Sequence, residues 1–400
     1  MTAPTRSRPV EAATAATVES LSQWQLIRRR FARHRLAVAS FFLLLVLYAL
    51  ALFAEFFAPH AARWKNLDYA DCPPQPVRFG LTRGLYAYAV RRQVDPVTFR
   101  KTYVEDRSDI VRLGFFAKGD PYKLWGVVPW DRHFLLPLGA QPAPKTAAPP
   151  SQIGGASRSE NWGPKRSAAA CYLLGADKYG RDIASRILFG ARVSLSVGVI
   201  AILVTFVIGL TIGGISGYVG GAADTFIQRA IEIINSFPQL PLWLALAAVV
   251  PGDWSSLRTY FAITIVLSLL NWTGLARVVR GKILALREED YATAARLLGA
   301  GHARVLFRHL LPGFTSHIIV SLTLSVPVMI LGETSLSFLG LGLRPPVVSW
   351  GVMLQDCMNI QAVAHYPWLL FPVVFIVLTV MCYNFLGDGL RDAADPYGSR

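Results

Sequence analysis

Six apolar stretches interrupt an otherwise polar chain, at positions 36–57, 193–217, 230–250, 260–276, 314–341 and 368–386. A bilayer core of about 30 Å is crossed by about 20 helical residues, so each stretch predicts a transmembrane helix. The fourth is short and extends through Val279 to gain length. The third and fifth carry one acid each, Glu232 and Glu333. The first is too long for a signal-peptide core and lacks a small-residue cleavage site, so it reads as a retained anchor. The pattern predicts an all-α polytopic membrane protein with six transmembrane helices and a large insert between the first and second.

The insert, 59–173, changes character along its length. Residues 64–138 hold Trp64, Tyr69, Tyr86, Tyr88, Trp125 and Trp130, enough aromatic surface to pack a small α+β subdomain. Residues 139–168 are rich in Ala, Pro, Gly and Ser (Pro142, Pro144, Pro149, Pro150, Gly154, Gly155) and read as a flexible strap. Beyond it, Gly175 and Gly180 permit tight turns and Asp182 is placed to cap a helix starting at Ile183. Apolar residues at 183, 187, 188 and 189 predict an interfacial helix on the membrane surface, with Arg186 and Arg192 reaching lipid headgroups.

Composition agrees with the hydropathy. Hydrophobic residues make up 53% of the chain and charged residues 16%, which excludes an ordinary soluble protein. The net charge of +15 is distributed as an orientation signal. Arg6, Arg8, Arg28, Arg29, Arg30, Arg33 and Arg35 precede the first span against only Glu11 and Glu19, and a basic run extends from Arg277 to Arg308. The two short loops on the opposite side hold Arg258 and Arg344. The positive-inside rule then makes the N-terminus, the 277–308 region and the C-terminus cytoplasmic and the insert external. No nucleic-acid-binding motif accompanies the charge.

Candidate chemistry is sparse. Cys72 and Cys171 both fall in the external insert, where a disulfide closing the loop and a pair of unpaired buried thiols are both open. No Cys-x-x-Cys pair or His spacing indicates a metal site. The nearest approach to a phosphate-cradling Gly-rich loop, Arg280-Gly281-Lys282-Ile283, lacks the first Gly and the hydroxyl, so energy must come from other subunits. Glu333, with Ser335 beside it, is a candidate for a translocation path, because an ionisable group inside a span is costly. A hydrogen-bonded packing role at a subunit interface is the equal alternative. Asn235, Asn271 and Asn384 read as interhelical hydrogen-bonding groups, and Pro238, Pro241 and Pro327 as kink points.

The most specific signal lies at 289–312, a short basic helix-prone segment between two spans. Tyr291 to Leu298 are mostly good helix formers, with Ala294 and Ala295 side by side on what reads as an exposed surface. Gly299 stands where a left-handed exit is needed, and Pro312 stops the next turn. Glu288, Glu289 and Asp290 suit the positive end of the helix and Arg296 the negative end. Such a helix–Gly–helix between spans reads as a docking device, its small residues admitting a partner's cleft.

This segment resembles the cytoplasmic coupling loop of ATP-binding-cassette (ABC) importer permeases, whose pattern is Glu-Ala-Ala, three residues, Gly, then Leu-Pro. Thr293-Ala294-Ala295, Gly299 and Leu311-Pro312 fill those places, with Thr293 where the family has Glu. Leu174-Gly175-Ala176-Asp177-Lys178-Tyr179-Gly180-Arg181-Asp182 resembles the Gly-Thr-Asp-x-x-Gly-Arg-Asp lead-in of peptide and nickel importer permeases. Gly213 to Asp224 resembles the turn between the second and third spans. Ser335 to Gly342, Ser349-Trp350-Gly351, Asn384 to Asp392 and Asp395-Pro396 continue the likeness in order. It covers 174–397, with a looser match over 24–58, and is specific to the C-type subunit of the dipeptide, oligopeptide and nickel branch. The long insert departs from the shorter loop common there.

The resemblance implies a type I permease fold organised as a basic cytoplasmic segment 1–35, a first helix 36–58, the insert 59–173, a permease domain 174–392 with coupling loop 280–313, and a tail 393–400. It implies a non-catalytic subunit of an importer in the bacterial inner membrane that carries peptides or a similar small solute. The implied partners are a second, B-type permease, two ATPase subunits that hold ATP and Mg, and a soluble binding protein outside. Asp290, Tyr291, Ala292, Thr293, Ala294, Ala295, Arg296, Gly299, Leu311 and Pro312 become the ATPase-coupling residues. Dipeptides, oligopeptides, nickel chelates and modified peptides all fit. The alternatives are an ion-coupled secondary transporter, which would be expected to show paired intramembrane acids or inverted repeats, and a channel or scaffold with no energy coupling.

Overall fold

The computed structural model describes residues 23–81, 84–94, 101–138 and 171–394. Arg6, Arg8, the strap at 139–168 and Asp395-Pro396 lie outside the described residues. Helix α1 (Gln23–Arg33) carries Arg28, Arg29, Arg30 and Arg33, and α2 (Arg35–Leu52) begins at His34, whose Nδ1 accepts from the Ala37 amide at 3.1 Å. The first span ends at Leu52, earlier than hydropathy predicts, and a short turn Ala54–Phe57 follows. Side chains take up the last carbonyls of α2 in place of further helix: Arg192 donates to Ala51 O (3.0 Å) and Leu52 O (2.9 Å), and Trp125 Nε1 to Leu52 O (3.0 Å).

The insert is a four-stranded antiparallel meander, β1 (Arg78–Gly80), β2 (Gly84–Val94), β3 (Lys101–Leu124) and β4 (Val128–Pro137), in the order β1-β2-β3-β4. Its described residues hold no α-helix, only a 3-10 turn at Leu67–Tyr69, so the expected α+β subdomain is corrected to an all-β one. Leu85 to Val90 mix aromatic, β-branched and small residues. There Ala87 and Val90 go inward while Tyr86 and Tyr88 stack edge to face on the open side. Phe56, Phe57, Phe115, Phe116 and Phe134 join the sheet to the end of the first span. Cys72 and Cys171 are free, buried thiols, not a disulfide. Burial pushes each up to about 12, so both stay un-ionised at neutral pH.

Helix α3 (Ile183–Val219) contains the second span and starts ten residues before it, with Asp182 accepting from the Ser185 amide at 2.9 Å as predicted. No separate surface helix forms. Arg186 is 4% exposed and lies 3.5 Å from Asp177, and Arg192 is bonded to Glu55, so neither reaches outward to headgroups. An acid in reach satisfies a buried guanidinium better than a distant phosphate. The stretch at 213–219 is also helix rather than turn; the chain reverses at Gly220 and Gly221. Gly209, Gly213 and Gly217 form a seam on which α6 (Ser256–Leu286) lies, Gly213 so close that a Cβ would stand 2.5 Å from Ala276 O.

The third predicted span is interrupted. Helix α4 (Gly221–Ser236) stops, Phe237 and Pro238 are extended, and α5 (Gln239–Ala248) follows. Pro238 has no amide to donate and disfavours helix in the residue before it. The ten residues of α5 span about 15 Å, half the hydrocarbon thickness. Among the described residues, five helices have the length and apolarity to cross, those at Arg35–Leu52, Ile183–Val219, Ser256–Leu286, His302–Phe338 and Pro367–Ala394. After α7 (Asp290–Leu297), α8 (Thr315–Phe338) continues through Pro327, the short α9 (Trp350–Leu354) folds back, and α10 (Phe371–Ala394) packs on α2 and α8. Leu195, Ile263, Leu267, Met329, Ile330 and Trp350 fill the core between them.

Candidate coupling loop and membrane cavity

The loop between α6 and α8 is built around α7. Periodicity places Ala292 and Ala295 on one face, three residues apart, where they are 0% and 8% exposed against Ile283, Val305, Leu310 and Phe314. The opposite face presents Tyr291, Ala294, Leu297 and Leu298, with the two leucines 83% and 89% exposed. Ala295 thus faces the chain's own interior, which corrects the reading of Ala294 and Ala295 as one exposed pair. Ala295 falls instead on the same side as Ala292, one helical turn away, and that side packs on the chain's own core.

Local chemistry fixes both ends. Asp290 lies in the first turn and Arg296 in the last, each favourable to the helix dipole. Arg296 donates to Thr293 Oγ1 (3.1 Å) and Arg287 O (2.7 Å), so Thr293 acts as a partner for Arg296. The C-terminus is a Schellman turn: Ala300 N donates to Ala295 O and Gly299 N to Arg296 O, both at 3.0 Å, with Gly299 at φ +82. Nothing lies within 4 Å of a Cβ there, so the requirement for Gly is conformational. Gly299→Ala should cost about 1–2 kcal/mol, read as a fall of about fivefold or more in amide protection over α7, with Gly299→Asn losing less. A turn of π-helix at Val305–Leu310 and a 3-10 turn at Leu311–Phe314 then lead into α8, with Pro312 at the start of the latter.

Three polar ties join this loop to the α3–α4 turn. Arg287 Nη1 donates to Gly217 O (3.1 Å), His302 Nδ1 lies 3.2 Å from Tyr218 Oη, and Arg280 grips Asp224 through two bonds of 2.6 Å. The Arg280 guanidinium holds the Asp224 carboxyl down to about 2. Its contribution is complete above the ordinary carboxylate range and fades as pH falls toward 2.

Glu333 is fully buried, accepting from Ser194 Oγ at 3.0 Å and Ser337 Oγ at 2.8 Å, while Ser194 Oγ also accepts from Trp350 N. It ties α3, α8 and α9 together and lines neither of the cavities below. Ser335, half-buried two residues further on, lines neither cavity. Sequence reasoning missed the two serines on Glu333, because Ser194 is remote in the chain and Ser337, one turn on, carries no pattern.

A cavity of about 580 Å³ opens instead at the α4–α5 break, walled by α6 and α8. Asn235, Gln239, Asn271, Thr273, Ser321 and Ser325 supply its polar lining. Gln239 Nε2 donates to Asn271 Oδ1 (3.0 Å) and Thr273 Oγ1 to Asn235 Oδ1 (3.1 Å), so Asn235 and Asn271 bridge helices and also face space. Asn384 is exposed on α10. A second cavity of about 460 Å³, with Lys282, His317 and Arg391 on its wall, shares Val278 and Ser321 with the first.

Residues 209–397 match the family model described as a binding-protein-dependent transport system inner membrane component, and 22–74 match the N-terminal TM domain of oligopeptide transport permease C. Neither covers the four strands. The dipeptide transport system permease protein DppC of Bacillus subtilis is 42% identical over 229 residues, 57% of this chain and 69% of that protein. The oligopeptide transport system permease protein OppC of Bacillus subtilis is 41% identical over 226 residues, 56% of this chain and 72% of that protein. The glutathione transport system permease protein GsiD of Pectobacterium atrosepticum is 39% identical over 228 residues, 57% of this chain and 73% of that protein. Among solved structures, the inward-facing MetNI methionine ABC transporter overlays with a TM-score of 0.43 at 18% identity, covering 53% of this chain and 97% of that one. The chain, a multi-pass membrane protein, belongs to the family of binding-protein-dependent transport system inner membrane components.

Proposed function

We propose that the chain is the C-type permease subunit of an ATP-driven importer of peptides or similarly sized solutes, supplied by a soluble binding protein. The observation that carries this is the outward face of α7, where two almost fully exposed leucines sit beside Tyr291 and Ala294 at the tip of a loop tied to α3 and α4. Exposed apolar groups beside small ones suit a partner's cleft. One of two ATPase subunits, which would bind the ATP and Mg, docks there, and closure of the pair pushes α7. Ala292 and Ala295 pass the push to Leu310 and Phe314 of the next span, while Arg287, His302 and Arg280 pass it to the α3–α4 turn. The chain itself does no chemistry. A B-type permease covers the open side of the α4–α5 break.

The peptide class is supported by relatives named for dipeptide, oligopeptide and glutathione transport. The basic residues at 28–35 and 277–308 support an inner-membrane orientation with both termini cytoplasmic and the sheet outside, α4 and α5 together making one broken crossing between α3 and α6. In this reading 1–35 and 393–400 are cytoplasmic, 36–58 is the first helix, 59–173 the external insert, and 174–392 the permease domain around the coupling loop 280–313. Gentle detergent extraction of the tagged chain from its native membrane, followed by mass spectrometry, tests it. A second permease and one or two ATPases should come with the chain. Recovery of the chain alone, stable and monodisperse, would favour an ion-coupled transporter or a channel.

A further inference from the structure

We propose that the cavity at the α4–α5 break is a stretch of the translocation path that grips the peptide backbone through neutral side chains, so that the path itself sets no charge requirement there. This rests on the importer reading above and adds the chemistry of its path. The cavity's lining contains three amides and three hydroxyls and no ionisable side chain. Polar side chains gathered within an apolar bundle face one another or water, because hydrocarbon leaves them unsatisfied. Here they do both. Asn271 is spent on Gln239 and on Leu267 O (2.8 Å), whereas Gln239 Oε1 and Asn235 Nδ2 have no hydrogen bond among the described residues.

One free acceptor and one free donor group, on residues flanking the helix break, match the C=O and N–H of a peptide group. Opposite them, Ser321 and Ser325 stand one turn apart on α8, about 6 Å along its axis. Two residues of extended chain advance about 6.6 Å. Ser325 Oγ already donates to Ser321 O (2.7 Å) and keeps its lone pairs, so same-facing peptide groups of an extended peptide meet successive hydroxyls, the one at Ser325 as an acceptor for N–H. The volume, about 580 Å³, is in the range of small-ligand sites.

Gly274 supplies the test. It lines the cavity, and a Cβ built on it meets nothing within 4 Å. Gly274→Phe should fill the cavity with the chain folded and its partners still co-purifying, and lower ATP-dependent peptide uptake at least tenfold. Gln239→Glu adds a charge where none exists. Using one binding protein and peptides that differ only in a Lys or Asp side chain, it should shift the Lys-to-Asp uptake ratio about tenfold from the wild-type ratio. Wild-type uptake by Gly274→Phe, an unchanged ratio in Gln239→Glu, or loss of partners from Gly274→Phe would each overturn the assignment. The last result would make the cavity a subunit contact. Absence of ATP-dependent uptake by the wild-type complex would instead overturn the importer reading.

Discussion

Leu297→Asp with Leu298→Asp should abolish ATP-dependent uptake and release the ATPase subunits, while the chain inserts and folds as before. The two side chains are 83% and 89% exposed, so the chain's own packing loses almost nothing. In the proposed complex both are covered. Burying a leucine contributes about 1.5–3 kcal/mol, and forcing a carboxylate into the same cleft costs more. A loss of about 5 kcal/mol weakens association by more than three orders of magnitude. Ala295→Asp makes the contrast, since its carboxylate would enter the space between Val305, Leu310 and Phe314 and destabilise the loop itself. The leucine variant should thus lose partners at unchanged thermal stability, whereas Ala295→Asp should lose stability first. Normal co-purification of ATPases with the double leucine variant would remove α7 as the docking element.

Asp177→Ala should be the most destabilising single change in the segment before α3. Asp177 is 4% exposed, accepts from Tyr179 N (2.9 Å) and Arg181 N (3.0 Å), and faces the guanidinia of Arg181 (2.6 Å) and Arg186 (3.5 Å). Its removal strands Arg186 within a packed interior, and breaking a buried pair from one side costs roughly 3–5 kcal/mol. Arg186→Met in the same chain removes the stranded charge and should recover more than half of the loss. Thermal unfolding of the purified chain decides it. Equal melting of Asp177→Ala and the double variant would mean that Arg186 does not depend on this acid.

The lead-in shows how local and distant information divide. Asp182 as a cap and Gly299 as a left-handed exit were both legible, because each depends on a few neighbouring dihedrals. Gly180 illustrates the other kind of constraint. Its φ is +67, but a Cβ there would also collide with Asn66 O, a contact across more than a hundred residues that no local pattern contains. Pro238 was legible as a kink, yet its effect is larger, an interruption that leaves α5 too short to cross alone. The insert's aromatics announced a packed layer, but not its class, since Tyr and Trp pack equally well on strands and helices.

By itself the sequence determined that this is a helical membrane protein with a short helix–Gly–helix loop between two of its spans. Hydropathy sums along the chain, and caps and turns act within a few residues. The tertiary structure alone decided which way each face turns. It put Ala295 inward and the leucines outward, drew Arg186 and Arg192 back to acids, sealed Glu333 among serines, and brought amides from α4, α5 and α6 to one cavity beside the serines of α8. Rotation of a helix about its axis depends on what the neighbouring helices offer, and those neighbours are remote in sequence.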